Sequence, residues 1–242
     1  QRCGLAAAAL SQTKPCYPCE PCHHHKRSFW EARVRHEDDA LSDLADYAWL
    51  TGNTAALLLE ECLVDQAPLH RQLQRLRKVL SPQQAGLVVE LTSLRRRAET
   101  KFGRLASKMF FTELALQQAT DLWTASYKAS RLKNDQPVHD YCCGLGGDLM
   151  ALARRGPAVG WDRSAEMAHL ATANLDVLGA SEHSQVRVQE IEAMAPLPGE
   201  VWHLDPDRRS SGWRSTQMEW HSPGPEFIEH LRKIAPDGVL KL

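Results

Sequence analysis

The sequence predicts an α/β protein: a parallel sheet covered by helices on both faces in its C-terminal half, preceded by an all-α region. Three observations predict it. The stretch Val138-His139-Asp140-Tyr141-Cys142-Cys143-Gly144-Leu145-Gly146-Gly147-Asp148 reads as a short strand, a glycine turn and a helix start. A second strand, Ala158-Val159-Gly160-Trp161, ends on Asp162. Beyond Pro137, strand-like runs at about 138–142, 158–161, 186–190, 201–205 and 238–242 alternate with helix-like runs at 148–155, 164–178 and 224–235. Strands that alternate with helices form parallel sheets, because each crossover must carry the chain back over a face of the sheet.

The elements follow in order. Residues 1–27 are biased in Ala, Cys, Pro and His and carry no helical or strand period, so a leader without regular structure is expected there. Within it Cys16, Cys19, Cys22 and His23 are donors of the kind that bind zinc tetrahedrally. Prolines at 15, 18 and 21 interleave with those cysteines, and no second ligand pair lies at finger distance. A composition bias is the favoured reading, and no metal site is expected. Residues 28–131 form the expected helical domain. Leu41, Leu44, Ala45 and Ala48 recur at helix spacing, as do Leu69, Leu73, Leu76 and Leu80. Gly52-Asn53 and Ser81-Pro82 are breaks, the second with Ser as N-cap and Pro in the first turn. Further helices are expected over 83–99 and 112–131. The α/β domain is expected over 132–242 and incomplete at its C-terminal end, because Val239-Leu240-Lys241-Leu242 reads as the middle of a strand. Its helix at 164 has Ser164 as cap and Gly179 at the C′ position.

Composition excludes several classes. The 242 residues carry a net charge of -1, so the chain is no polycation and any nucleic-acid contact must come from local patches. An apolar share of 43% is enough for a sizeable core. No apolar run is long enough to span a bilayer, and Leu5 to Leu10 has no signal-peptide layout. A cytoplasmic enzyme is expected, and disulfides are not the default use of its 7 cysteines. Nothing in the sequence sets the oligomeric state.

The glycine turn carries the chemistry. Gly144, Gly146 and Gly147 have no Cβ to keep a ligand from the backbone. Asp162, at the end of the next strand, can accept hydrogen bonds from ribose hydroxyls, which points to a nucleoside cofactor. The dinucleotide fingerprint fails, because Leu149 stands where its third small residue belongs. No G-K-[ST] follows, so the turn is no P-loop. The acid-x-x-x-G-x-G spacing from Asp140 to Gly146 fits S-adenosyl-L-methionine better. Gly144, Asp162, Glu190 and Asp205 all fall at or just past predicted strand ends, so right-handed crossovers would align them on one edge. Cys142 and Cys143 read as small buried side chains rather than nucleophiles.

The segment Asp140 to Asp148 resembles the first motif of class I S-adenosylmethionine-dependent methyltransferases, and its Cys-Gly-x-Gly-Gly is similar to the cap guanine-N2 (trimethylguanosine synthase-like) branch. Leu204-Asp205-Pro206-Asp207-Arg208-Arg209 resembles the D-P-x-R-R motif of bacterial methyltransferases that carry a THUMP-like domain. Met109 to Thr112 and Leu116 to Thr120 look like the stretch before the catalytic domain of that group. The resemblance covers roughly residues 100–242. Two departures stand out: Cys142 occupies a position where many class I enzymes have Gly, and the THUMP-like domain is absent from this chain. The resemblance implies that Asp140, Cys142 and the turn Gly144–Gly147 face the methionine part of the cofactor, that Asp162 binds the ribose, and that Glu190 sits near the adenine amine. It implies that Asp205 and Pro206 accept hydrogen bonds from a substrate amine, a nucleobase in RNA being the expected target. Arg208, Arg209 and Trp213 are the expected substrate contacts, two for phosphate and one for stacking, with Trp220 as another stacking candidate.

Three readings stay open beside this one. The same fold could methylate a small molecule or a protein, or serve as a non-catalytic RNA- or protein-binding module. The basic runs Arg95, Arg96, Arg97, Lys101, Arg104, Lys108 and Arg71, Arg75, Lys78 could follow an RNA backbone or be solvated helix faces.

Overall fold

A central strand, β1 (Val138–Tyr141), is flanked by β2 (Ala158–Asp162) and β4 (Val201–Leu204), with β3 (Gln185–Val188) and β5 (Gly238–Leu240) at the two edges. All four pairings are parallel, in the order β3-β2-β1-β4-β5. The computed structural model describes residues 44–133, 136–194, 198–207 and 217–241. The leader with Cys16, Cys19, Cys22 and His23, and the residues Arg208, Arg209 and Trp213, lie outside that set.

The register places Asp140 beside Gly160 of β2 and His203 of β4. Side chains alternate across a strand, so Val138 and Asp140 face one side of the sheet and His139 and Tyr141 the other. On the first side Val138, Ala158 and Val201 pack with α6 (Gly147–Ala153), α7 (Ala165–Leu178) and α5 (Leu122–Ser130) through Leu149, Leu152, Ala171, Leu175, Ala125 and Ala129. On the second side Tyr141, Trp161, Trp202 and Leu204 pack with Ile228 and Leu231 of α8 (Pro225–Ile234). Covering on both faces explains why β4 is buried at all four positions. Gly160 permits the tight α6 contact: a Cβ there would lie 2.6 Å from the Leu149 Cδ2.

The helical region comprises α1 (Asn53–Val64), α2 (Leu69–Leu76), α3 (Pro82–Phe102) and α4 (Glu113–Gln118), after a helical stretch at 44–50. Ser81 and Gln84 close a capping box at the start of α3, with Pro82 in its first turn, as the sequence predicts. Leu59, Leu91, Leu94, Phe102 and Met109 share one apolar cluster with Leu145, Met150 and Leu170. Asn174 of α7 fastens the same seam: it accepts from Phe110 N (2.8 Å) and donates to Phe110 O (3.1 Å) and Leu145 O (2.9 Å).

Two expectations need correction. The single helix expected over 112–131 is two helices, because Asp121 caps α5 by accepting from Trp123 N and Thr124 N, both at 3.0 Å. Helical continuity would forfeit that cap. The strand expected at 186–190 is β3 at 185–188, and a 3-10 turn follows at Ile191–Ala193.

Gly238 faces the Trp202 ring, whose Cε2 would lie 2.1 Å from an added Cβ. The ring has no room to yield, since its Nε1 donates to Ala235 O (2.7 Å) and the residue is 2% exposed. Gly238→Ala should therefore lower stability by about 2–3 kcal/mol. Urea unfolding checks this, and an unchanged midpoint would refute the contact.

Candidate functional site

A cavity of ≈ 370 Å³ opens at the C-terminal ends of the strands. Of the residues singled out in the sequence, Asp140, Cys142, Gly144, Gly147, Asp162, Glu190, Asp205 and Pro206 line it. Gly146 does not. Its φ of +88° turns the chain into α6, and a Cβ there would lie 3.4 Å from that of Ala171. Its lack of a side chain lets α7 pack closely at Ala171. Gly144 takes φ +54° with open space beside it. Cys142 has φ +60°, a left-handed conformation that costs a non-glycine residue about 1–2 kcal/mol. That is the physical reason glycine suits this position. Burial pushes the thiols of Cys142 and Cys143 up, away from the nucleophilic thiolate.

Asp162 ties the turn to the next helix. Its Oδ2 accepts from Gly144 N (2.8 Å) and its Oδ1 from Ser164 N (2.9 Å). Burial raises its carboxyl above the usual range, and these two N–H bonds oppose the rise. Glu190 is exposed at the rim.

Beneath the turn runs a buried polar chain. Asp140, 1% exposed, accepts at Oδ1 from Nδ1 of His203 (2.7 Å). The Lys128 ammonium lies 3.1 Å from Nε2 of that ring. An ammonium has only hydrogens to offer, so Nε2 is the acceptor and Nδ1 carries the hydrogen given to Asp140. Lys128 also pairs with Asp148 Oδ1 (2.6 Å), and Thr120 donates to Asp148 Oδ2 (2.7 Å). Burial alone would raise the Asp148 carboxyl, but the Lys128 ammonium and the Thr120 hydroxyl hold it below the usual range. Burial keeps the Asp140 carboxyl raised despite His203. Asp140 Oδ2 is buried with no hydrogen-bond partner among the described residues. Farther along the cavity floor, Lys241 Nζ lies 2.5 Å from Asp205 Oδ2 and 3.1 Å from Thr120 Oγ1.

Thr120, Lys128, Asp148, His203 and Lys241 are the residues that sequence reasoning did not select. Two left a signal. His203 interrupts the apolar strand Val201-Trp202-His203-Leu204, and Lys128 shares a helix face with Ala125 and Ala129. A polar group on a face that must be buried needs a buried partner.

Five of the nine residues in the basic runs are engaged by the fold. Arg95, 6% exposed, donates to Met109 O and Lys108 O (both 2.9 Å), and burial lowers it to about 10. Arg96 donates to the carbonyls of Cys62, Leu63 and Asp65. Arg97 pairs with Glu113, and Arg75 with Asp65. Lys101 donates to Leu116 O (2.8 Å), Gln117 O (3.2 Å) and Ala119 O (2.8 Å). Arg71, Lys78, Arg104 and Lys108 stay exposed, and with the engaged cations between them the runs present no continuous stripe of free charge.

No family model matches the chain. An uncharacterized S-adenosylmethionine-dependent methyltransferase of Mycobacterium tuberculosis, from strains CDC 1551 and H37Rv, is 36% identical over 144 residues, 57% of this chain and 39% of the relative. The chain thus spans about two fifths of the length of the curated relatives it matches. A crystal structure from Porphyromonas gingivalis W83, described by inference as a methyltransferase, superposes with a TM-score of 0.52 at 21% identity, covering 80% of this chain and 47% of that one. The fold is Rossmann-like, with a helical N-terminal region. Among the described residues no group of His, Cys, Asp or Glu is arranged to hold a metal ion, and no helix is long and apolar enough to cross a membrane.

Lys128→Met would strand Asp148 without its cation in a buried site. The expected loss is about 3–5 kcal/mol. Adding Asp148→Asn should recover part of it, because the neutral amide needs no counter-ion. A single variant as stable as the parent in chemical unfolding would show that the buried pair contributes nothing to stability.

Proposed function

We propose that the protein is an S-adenosyl-L-methionine-dependent methyltransferase acting on a nucleobase amine in RNA. The observation that carries the cofactor reading is Asp140 Oδ2. It is a buried carboxylate oxygen without a partner among the described residues, beside a cavity walled by a glycine turn. Buried acceptors find donors, and the methionine α-ammonium is a donor of fitting charge. Gly144 and Gly147 would let the backbone approach the amino-acid part, Asp162 would accept from the ribose, and Glu190 would reach the adenine amine. When bound, S-adenosylmethionine supplies an electrophilic methyl group on a sulfonium. The relatives described as methyltransferases support the same reading.

Asp205 and Pro206 stand at the end of β4 on the opposite side of the cavity floor from Asp162, across β1. A nucleobase amine is a poor nucleophile because its lone pair is delocalised into the ring. A carboxylate and the Pro206 carbonyl accepting its N–H bonds return electron density and aim the nitrogen. The D-P-x-R-R stretch supports affiliation with the bacterial group that carries a THUMP-like domain. For RNA, the support is chemical. Trp123 (88% exposed) and Tyr127 (66%) lie one turn apart on α5, which starts just past the cavity-lining Thr120. Exposed rings at such spacing are stacking platforms for bases. With five of the nine basic-run cations engaged by the fold, base stacking takes the larger share of recognition.

Transfer of tritiated methyl groups to total RNA tests this directly. Asp205→Ala should lower transfer by about 10²-fold or more while S-adenosylhomocysteine still binds in calorimetry. Near-normal turnover would exclude Asp205 from the reaction. Asp162→Ala should weaken S-adenosylhomocysteine about 10- to 100-fold, the loss of one or two hydrogen bonds to a charged group. Undiminished affinity would sink the ribose assignment. If bases stack on α5, Trp123→Ala should weaken RNA binding about tenfold or more in a fluorescence titration. An unchanged affinity would turn the substrate reading toward small molecules or proteins.

A further inference from the structure

The carboxylate of Asp205 is not loose in the cavity. Its Oδ2 lies 2.5 Å from Lys241 Nζ. Among the described residues no hydrogen bond reaches its Oδ1. Lys241 is itself held from two directions. Its backbone N donates to Leu204 O (2.9 Å), which fixes it at the mouth of β4. Its Nζ also donates to Thr120 Oγ1 (3.1 Å). The single hydrogen of that hydroxyl goes to Asp148 Oδ2 (2.7 Å), so Thr120 can only accept from Lys241. Asp148 is in turn fixed by Lys128. The side chains of Lys241 and Asp205 are 23% and 25% exposed, so the pair stands half-sheltered on the cavity wall. Five groups, from β4, β5's end, α5, α6 and the loop before α5, thus determine where one carboxylate oxygen sits.

We propose that Lys241 is a positioning residue that holds Asp205 by Oδ2 and so presents Oδ1 to an N–H of the amine substrate. The inference rests on the reading above that Asp205 meets the substrate. A carboxylate anchored at one oxygen loses its freedom to swing, and the remaining lone pairs keep one direction. An N–H accepted from a fixed direction places the nitrogen along a fixed line. Orientation of this kind is worth much in rate, since a displacement of about 1 Å costs about 10²-fold. Lys241→Arg would keep charge and donors with altered geometry, whereas Lys241→Met keeps bulk alone.

The experiment compares Lys241→Met, Lys241→Arg and Asp205→Asn by methyl transfer to total RNA, by calorimetry with S-adenosylhomocysteine and by thermal unfolding. Lys241→Met should lower kcat by about 10²-fold with cofactor-product affinity and melting temperature near the parent's. Lys241→Arg should restore part of kcat, and Lys241→Met should cost nothing further in the Asp205→Asn background, because the two residues act as one unit. A parent-like kcat in Lys241→Met, or a loss that adds in full to that of Asp205→Asn, would overturn the proposal. So would a loss matched by an equal fall in S-adenosylhomocysteine affinity. Should Lys241→Met fail to fold, the nitrogen resonance of the Lys241 ammonium decides. It should shift when Asp205 becomes Asn in the otherwise intact chain, and a signal that does not move overturns the pairing. Full turnover in Asp205→Ala brings down the functional reading and this proposal together. A dead Asp205→Ala with a fully active Lys241→Met brings down this proposal alone.

Discussion

A buried ion pair under the glycine turn, Lys128 against Asp148, is the interaction on which the rest of the site depends. Each partner is mostly shielded from water, at 10% side-chain exposure. Two charges removed from solvent are tolerable only when each is neutralised and its remaining hydrogen bonds are met. Here they are. Lys128 reaches His203 and Thr120 as well as Asp148, and the Asp148 carboxylate takes the Thr120 hydroxyl on its second oxygen. Because His203 must accept from Lys128, it must donate to Asp140. The orientation of one cavity-lining carboxylate, that of Asp140, is thereby set by a lysine on a helix of the N-terminal side of the fold.

Together with His203 the pair links three elements. Lys128 lies on α5, Asp148 on α6 and His203 on β4, so the charges meet only when both helices are seated on the sheet. Apolar packing supplies the bulk of that seating through Ala125, Ala129, Leu149 and Val201. The polar chain adds direction, because apolar contact is non-directional whereas a hydrogen bond fixes an angle. Asp148 Oδ1 faces the Lys128 ammonium, whereas Asp140 Oδ2 has no hydrogen-bond partner among the described residues, and a buried acceptor in that state calls for an explanation.

The basic residues illustrate how one residue type serves two ends. Arg95, Arg96 and Lys101 look from their spacing like a polyanion-binding face, yet each ends on main-chain carbonyls. Arginine and lysine are the side chains best able to satisfy several orphan carbonyls at helix ends, where the macrodipole also favours a cation. Lys101 in this way braces the segment that ends in the cavity-lining Thr120. Spacing alone does not separate a solvent-facing cation from one folded back on the chain.

Much was settled before any contact formed. The order of strands and helices, the glycine turn at 144–147, the acid at 162 closing β2 and the acid at 205 closing β4 follow from local pattern, since strand ends and turns are dictated by neighbours in sequence. The break at Asp121 escaped because a helix-compatible composition hid an N-cap. The tertiary structure alone decided which polar residues meet. Thr120, Lys128, Asp148, His203 and Lys241 come from five separate places in the chain, and their partners lie up to 121 residues away. Periodicity marks a face as buried, but a buried charge is matched by whatever the fold brings opposite it. That pairing depends on how β5 docks beside β4 and how α5 lies across α6, distances along the chain over which no local preference acts.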